Sequence, residues 1–337
     1  MVFKRLLGSL GVGGPTVDTV LDPGPVRPGG TLSGQVHLRG GGADFDVEQI
    51  TLELVARVEA EHAEGESEGA VAFERFVVGG GFRLAEGEQL SVSFGVVLPW
   101  ETPITELYGQ GLGIVLGLRT ELSVAGARDK GDLDPLAVAP LPVQEAILEA
   151  LGQLGFGFRS ADLEYGRIGG TGQRLPFYQE LELTPAPQYA HAVNEIELTF
   201  LATASGMEVI LEADKRTPYG AYSDHGGLGG SHTSHGDDPL ARFTVSHEVA
   251  AHQDWTALVD GWVRELVEHR RDAYGQYGLQ GHQYGQHGSS GPGMGTVVAA
   301  GAAGLAVGVV GGMVAAEVVD EVGDFFEGDD EGEEEEG

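Results

Sequence analysis

Apolar and polar residues alternate in short runs along most of the chain. Leu52, Leu54, Ala56 and Val58 are interleaved with Thr51, Glu53, Val55 and Arg57, the period of two that a half-buried strand requires. The same period recurs at Leu90, Val92, Phe94 and Val96, and at Leu118, Thr120, Leu122 and Val124. Further on, Ile196, Leu198 and Phe200 alternate with Glu195, Glu197 and Thr199, followed by Val209, Leu211 and Ala213. Turns rich in Gly, Pro and Asp separate these runs. Many short alternating strands without intervening long helices predict an all-β fold of two antiparallel β-sandwich domains, not a parallel α/β sheet.

The pattern breaks at Asp132-Leu133-Asp134-Pro135, then Pro140 and Pro142, with a short helix expected over residues 143–151. Strand patterns resume near Asp162. This places one sandwich, with a short N-terminal helix, in residues 1–135 and a second in 136–253, joined by a linker. Residues 254–272 predict an amphipathic helix. Trp255, Leu258, Val259, Trp262, Val263, Leu266 and Val267 form one stripe, Asp254 stands at the N-cap, and His269, Arg270 and Arg271 lie near the end, where cations suit the helix dipole. Such a stripe is expected to dock on a sheet.

Residues 273–337 change character. Residues 274–293 hold Gly, Gln, Tyr and His without charge, the composition of a flexible linker. Residues 296–316 contain no charge, and as a helix would extend about 30 Å, the thickness of a hydrocarbon core. Gly304, Gly308 and Gly312 recur on one face of that helix and permit close helix–helix approach. Weak membrane association, self-association and a flexible tail all remain open for this segment, because Ala and Gly dominate it and no basic anchor flanks it. An acidic tail follows.

Composition narrows the chemistry. The 337 residues carry 19 Lys and Arg against 52 Asp and Glu, a formal net charge of −33, which would repel a nucleic-acid backbone. There is no Cys, so thiolate chemistry, disulfides and Cys-based metal sites are excluded. The first ten residues lack a signal-peptide pattern; Phe3, Leu6, Leu7 and Leu10 form a small apolar face opposite Lys4 and Arg5. A cytoplasmic location is expected.

Three constellations invite a chemical reading. Asp129, Asp132 and Asp134 lack the spacing of an EF-hand loop and suit turns beside a linker. His225, His232 and His235 sit in a Gly/Ser-rich loop beside Asp224, Asp237 and Asp238; they are the candidates for weak zinc or nickel binding, as a metal or ligand sensor, although such a loop is not preorganised. Ser246-His247-Glu248 has no nucleophile elbow around it, and Gly11, Gly13 and Gly14 precede a strand where a phosphate loop would open a helix. No catalytic residue and no cofactor are expected.

An ordered series of phrases resembles the SpoOM family of bacterial sporulation-control proteins. They are residues 10–20 (LGVGGPTVDTV), 26–29 (VRPG), 34–41 (GQVHLRGG), 98–105 (LPWETPIT), 132–135 (DLDP), 176–180 (PFYQE) and 194–198 (NEIEL). The resemblance spans roughly residues 1–243, and its weight comes from the order of the phrases. It implies an arrestin-like pair of β-sandwiches, no known catalysis, and a role in developmental control such as sporulation. The expected partners are proteins, engaged through edge strands or an inter-domain groove.

Overall fold

The computed structural model describes residues 13–62, 65–125, 130–213, 240–248 and 253–280. In chain order the strands are β1 (Thr16–Leu21), β2 (Thr31–Arg39), β3 (Phe45–His62), β4 (Gly65–Gly79), β5 (Phe82–Leu84), β6 (Gln89–Val97), β7 (Glu106–Leu107) and β8 (Gln110–Gly111). They continue as β9 (Leu116–Val124), β10 (Lys130–Pro135), β11 (Gly157–Tyr165), β12 (Phe177–Thr184), β13 (Ile196–Ala202), β14 (Gly206–Ala213) and β15 (Leu240–Ser246). Helix α1 (Pro142–Leu154) joins β10 to β11, and α2 (Trp255–Gln280) follows β15.

The N-terminal half is a sandwich. A three-stranded antiparallel sheet, β1-β2-β6, lies over the part of the long sheet made by β10, β9, β3, β4 and β5. The alternation in β3 and β9 decides which side faces in. Leu52, Leu54, Ala56 and Val58 are buried with Leu118 and Leu122, in one apolar cluster with Val36, Leu38 and Phe94 of the smaller sheet. Each Leu, Val and Phe side chain among them contributes about 1.5–3 kcal/mol by leaving water.

The long sheet does not stop at the end of the first half. Near its C-terminal end β3 meets β11 in parallel, with Glu59 opposite Glu164, and β12, β13, β14 and β15 extend the sheet antiparallel. The alternation again sets one face against water and the other inward: Leu181, Leu183, Ile196, Leu198, Val209 and Leu211 are buried. Among the described residues, the layer covering that inner face is helical. Phe243 of β15 stacks on Trp262 of α2 with ring centroids 4.8 Å apart, and α1 packs against α2, Thr256 donating to Gln153 Oε1 at 2.8 Å. The apolar residues of both halves belong to one continuous cluster.

Both helices have legible ends. In α1, Pro142 opens the first turn, the Leu141 N–H donates to Gln144 Oε1 at 2.8 Å, and Gly155 at φ 96° ends the helix in the left-handed region. In α2, Asp254 Oδ1 accepts the Ala257 N–H at 3.0 Å, the expected N-cap. The stripe from Trp255 to Val267 is docked as its periodicity predicts.

Two expectations are corrected. Residues 132–135 are not turn and linker but part of β10, whose Asp132, Leu133 and Asp134 pair with Thr120, Arg119 and Leu118 of β9. The connection between the halves is the stretch 136–141 that follows. Helix α2 also runs on to Gln280, into the segment whose composition suggested a linker. A docked helix propagates at little cost through residues such as Ala273 and Gln276, and Gly275 and Gly278 cost only about 1 kcal/mol each.

Candidate functional site

Three of the phrases in the ordered series, 26–29, 98–105 and 176–180, meet at the joint between the two halves. Val26 lies beside Val138 in a parallel bridge, its N–H donating to Ala137 O at 3.0 Å and its carbonyl accepting from the Ala139 N–H at 2.8 Å. Arg27 Nε donates to Pro140 O at 3.0 Å, which pins the connecting stretch. Gly29 has φ 71°, and a Cβ there would stand 2.6 Å from the Trp100 indole; only glycine fits. Trp100 in turn stacks on His247 at 5.3 Å, and His247 Nε2 lies 2.7 Å from Thr203 O.

The next residues of that phrase reach across to the second half. The Glu101 carboxylate accepts the Arg174 N–H at 2.8 Å and the Leu175 N–H at 2.9 Å. Gln179 grips Ile104 at both backbone groups, Oε1 accepting its N–H at 3.0 Å and Nε2 donating to its carbonyl at 2.9 Å. Gln173, itself buried, donates to the carbonyls of Gly166, Leu175 and Phe177 and accepts from Ile168, holding the loop that Glu101 binds. Phe73 of β4 meets Phe177 edge-on at 5.3 Å. The joint is a built structural element.

The water-facing side of the second half is acidic. Asp162, Glu164, Glu182, Glu197 and Glu212 are half-buried on it, and Glu180 is buried there beside Tyr178, Leu201 and Ile210. Carboxylate oxygens of Asp162, Glu164 and Glu180 lie within 4.8 Å of one another, a set of hard oxygen donors such as Ca²⁺ or Mg²⁺ would take. Burial pushes the Asp162 carboxyl up to about 8, with Glu180, Glu164, Glu182 and Glu59 adding repulsion, so at neutral pH it holds a proton. Beside the set, Tyr178, Glu180, Thr199, Ile210, Glu212 and Arg242 line a cavity of about 260 Å³. Arg159 pairs with Glu195 and Glu182, and desolvation together with Glu182 raises the Glu195 carboxyl.

A third feature is an edge. β4 pairs with β3 along most of its 15 residues, and among the described residues no strand pairs with its other side. Val77 at its end is 65% exposed, and Ala72 is exposed as well. Beneath the edge, the buried Glu53 is held between Arg119 and Arg75, the latter at 3.3 Å.

Of the residues singled out from sequence, His225, His232 and His235 and Gly304, Gly308 and Gly312 lie outside the described residues, as do Lys4, Arg5 and Asp129. Asp132 and Asp134 point into the seam between β10 and β1, and His247 belongs to the joint. Sequence reading missed the roles of Trp100, Glu101, Gln173 and Gln179. It also missed the acidic face, although Glu180 and Glu182, or Glu195 and Glu197, already stood at the polar positions of alternating strands.

The fold and its joint define the class: an all-β protein of arrestin-like build. The sequence profile of the SpoOM protein matches residues 3–217, and the chain belongs to the SpoOM family. It is 35% identical over 215 residues to the sporulation-control protein Spo0M of Bacillus subtilis (strain 168), covering 64% of this chain and 81% of that one. The crystal structure of Spo0M from Bacillus subtilis superposes with a TM-score of 0.58 at 29% identity, over 79% of this chain and all of the other. No helix among the described residues is long and apolar enough to cross a membrane.

Proposed function

We propose that this chain is a non-enzymatic regulator of sporulation or related developmental control, acting in the cytoplasm by contact with other proteins, with β4 as the strand that receives a partner. Similarity to a sporulation-control protein supports the first part. The observation that carries the second is the open side of β4, since an edge of this length offers a row of backbone donors and acceptors to an extended segment. Alternate side chains of the edge give such a segment an apolar footing at Ala72 and Val77.

The test is complementation of a gene deletion in the native host. Ala72→Lys together with Val77→Lys puts two charges on exposed positions of the edge without touching the buried side of β4, a known way to block strand addition. Spore counts near those of the deletion are expected from this variant, with a normal melting curve for the purified protein. Wild-type counts would remove β4 as the receiving strand. A deletion that changes neither sporulation nor any other developmental step would remove the regulatory reading itself.

A further inference from the structure

We propose that the segment received by β4 is β4 of a second copy of this chain, laid antiparallel about a two-fold axis that passes between Glu74 and Arg75. This builds on the reading of β4 as a receiving edge and names its occupant. Residues 71–78 read Val-Ala-Phe-Glu-Arg-Phe-Val-Val, and turned end for end the run repeats its own chemistry. Val71 falls opposite Val78 of the copy, Ala72 opposite Val77, Phe73 opposite Phe76, and Glu74 opposite Arg75.

The backbone supplies an independent observation. In a regular strand neighbouring side chains point to opposite faces, so an axis between two adjacent residues would set exposed side chains against buried ones. β4 is not regular. Leu54 pairs with Glu74 and Val55 with Ala72, so Phe73 is an extra residue against β3, a β-bulge. Val71, Phe73, Phe76 and Val78 lean on the apolar core, whereas Ala72, Glu74, Arg75 and Val77 are exposed. Glu74 and Arg75 are thus both exposed although adjacent, and the order of half-buried and exposed positions over residues 70–79 reads the same in either direction. An axis between them brings like-facing residues together along the whole run.

The same order selects one register. Sliding the copy by one residue either way puts Glu74 opposite Glu74 or Arg75 opposite Arg75, and sets Phe73 and Phe76 against exposed positions. Like charges directly opposed in a sheet disfavour pairing, and opposite charges favour it. In the matched register the two Glu74–Arg75 pairs are reciprocal, as a two-fold interface requires, and the Phe73–Phe76 pairs carry the apolar layer of one copy into the other. Arg75 is fixed by Glu53 at 3.3 Å and Glu121 at 3.6 Å. Glu74 is exposed and, among the described residues, its carboxylate accepts only the Arg75 N–H. Glu74 is therefore the member of the pair that can be altered without loading the fold.

The chain has no Cys, so introduced thiols report the register. Full-length Ala72→Cys and Val77→Cys variants, mixed under mild oxidation, are expected to form a disulfide-linked dimer of one with the other. Either variant alone should stay uncrosslinked, because position 72 and its own counterpart lie about 17 Å apart in this register. Sedimentation velocity of the unaltered chain at micromolar concentration should show a dimer, in salt where the Debye length is about 8 Å. Glu74→Arg should weaken that dimer about tenfold or more at an unchanged melting temperature, since both reciprocal pairs turn from opposite to like charge. A chain that is monomeric throughout overturns the proposal and leaves β4 open to another protein, which the spore counts of the Ala72→Lys, Val77→Lys variant judge separately. A dimer indifferent to Glu74→Arg, or one in which each thiol variant crosslinks to itself as readily as to the other, puts the copy in another place or register and equally refutes it.

Discussion

Asp134 points into the seam between β1 and β10, where its Oδ2 is buried and, among the described residues, has no hydrogen-bond partner. Its neighbour Asp132 is better placed, accepting the Thr19 N–H at 2.7 Å, and Thr19 Oγ1 lies 2.7 Å from Thr120 Oγ1. Burial first, then repulsion from Asp132 and Asp18, pushes the Asp134 carboxyl up to about 7. Because the folded state binds this proton more tightly than the unfolded chain, the contribution is full below about pH 4. It is lost as pH rises through about 7. Asp134→Asn keeps the shape of the protonated acid. It should raise the melting temperature at pH 8, by about 2–4 °C for each kcal/mol recovered, and flatten the fall between pH 5 and 8. A variant that melts below the wild type at pH 8 would show that Asp134 has a partner worth more than its desolvation.

Among the elements, α2 and the alternating strands were the easiest to foresee, and for a physical reason. Their signal lies in residues a few positions apart, so one face of the element is written locally. Trp262 is the clearest case, falling in the predicted stripe and closing on Phe243 in the structure. Trp262→Ala should destabilise the protein by about 3–5 kcal/mol, measured by urea unfolding; a loss under about 1 kcal/mol would mean that α2 is not held by this stack. β4 was harder, because its polar and small lead-in, Gly65-Glu66-Ser67-Glu68-Gly69, carries no alternation and the strand exists only by pairing with β3. β10 was hidden for a related reason: Asp132, Asp134 and Pro135 look like turn residues, yet an edge strand tolerates a terminal proline and the seam uses the aspartates. The joint was present in the sequence only as phrases. Nothing local tells that Gln179 will meet Ile104, 75 positions away.

For the whole molecule, the joint makes the two halves depend on one another. Replacing Gln179 by Leu would strand the amide and carbonyl of Ile104, at about 1–3 kcal/mol for each buried group left unsatisfied. Calorimetry of Gln179→Leu should therefore show a broadened or split transition where the wild type shows one; a single sharp transition at the wild-type temperature would mean that the halves are coupled elsewhere. The remaining link is β3, which is shared by both halves. Its 18 residues make a continuous rod of roughly 60 Å, edged by β4 and touching β11 near its far end. A partner strand laid against β4 would therefore have only two strands, β4 and β3, between it and β11 of the second half.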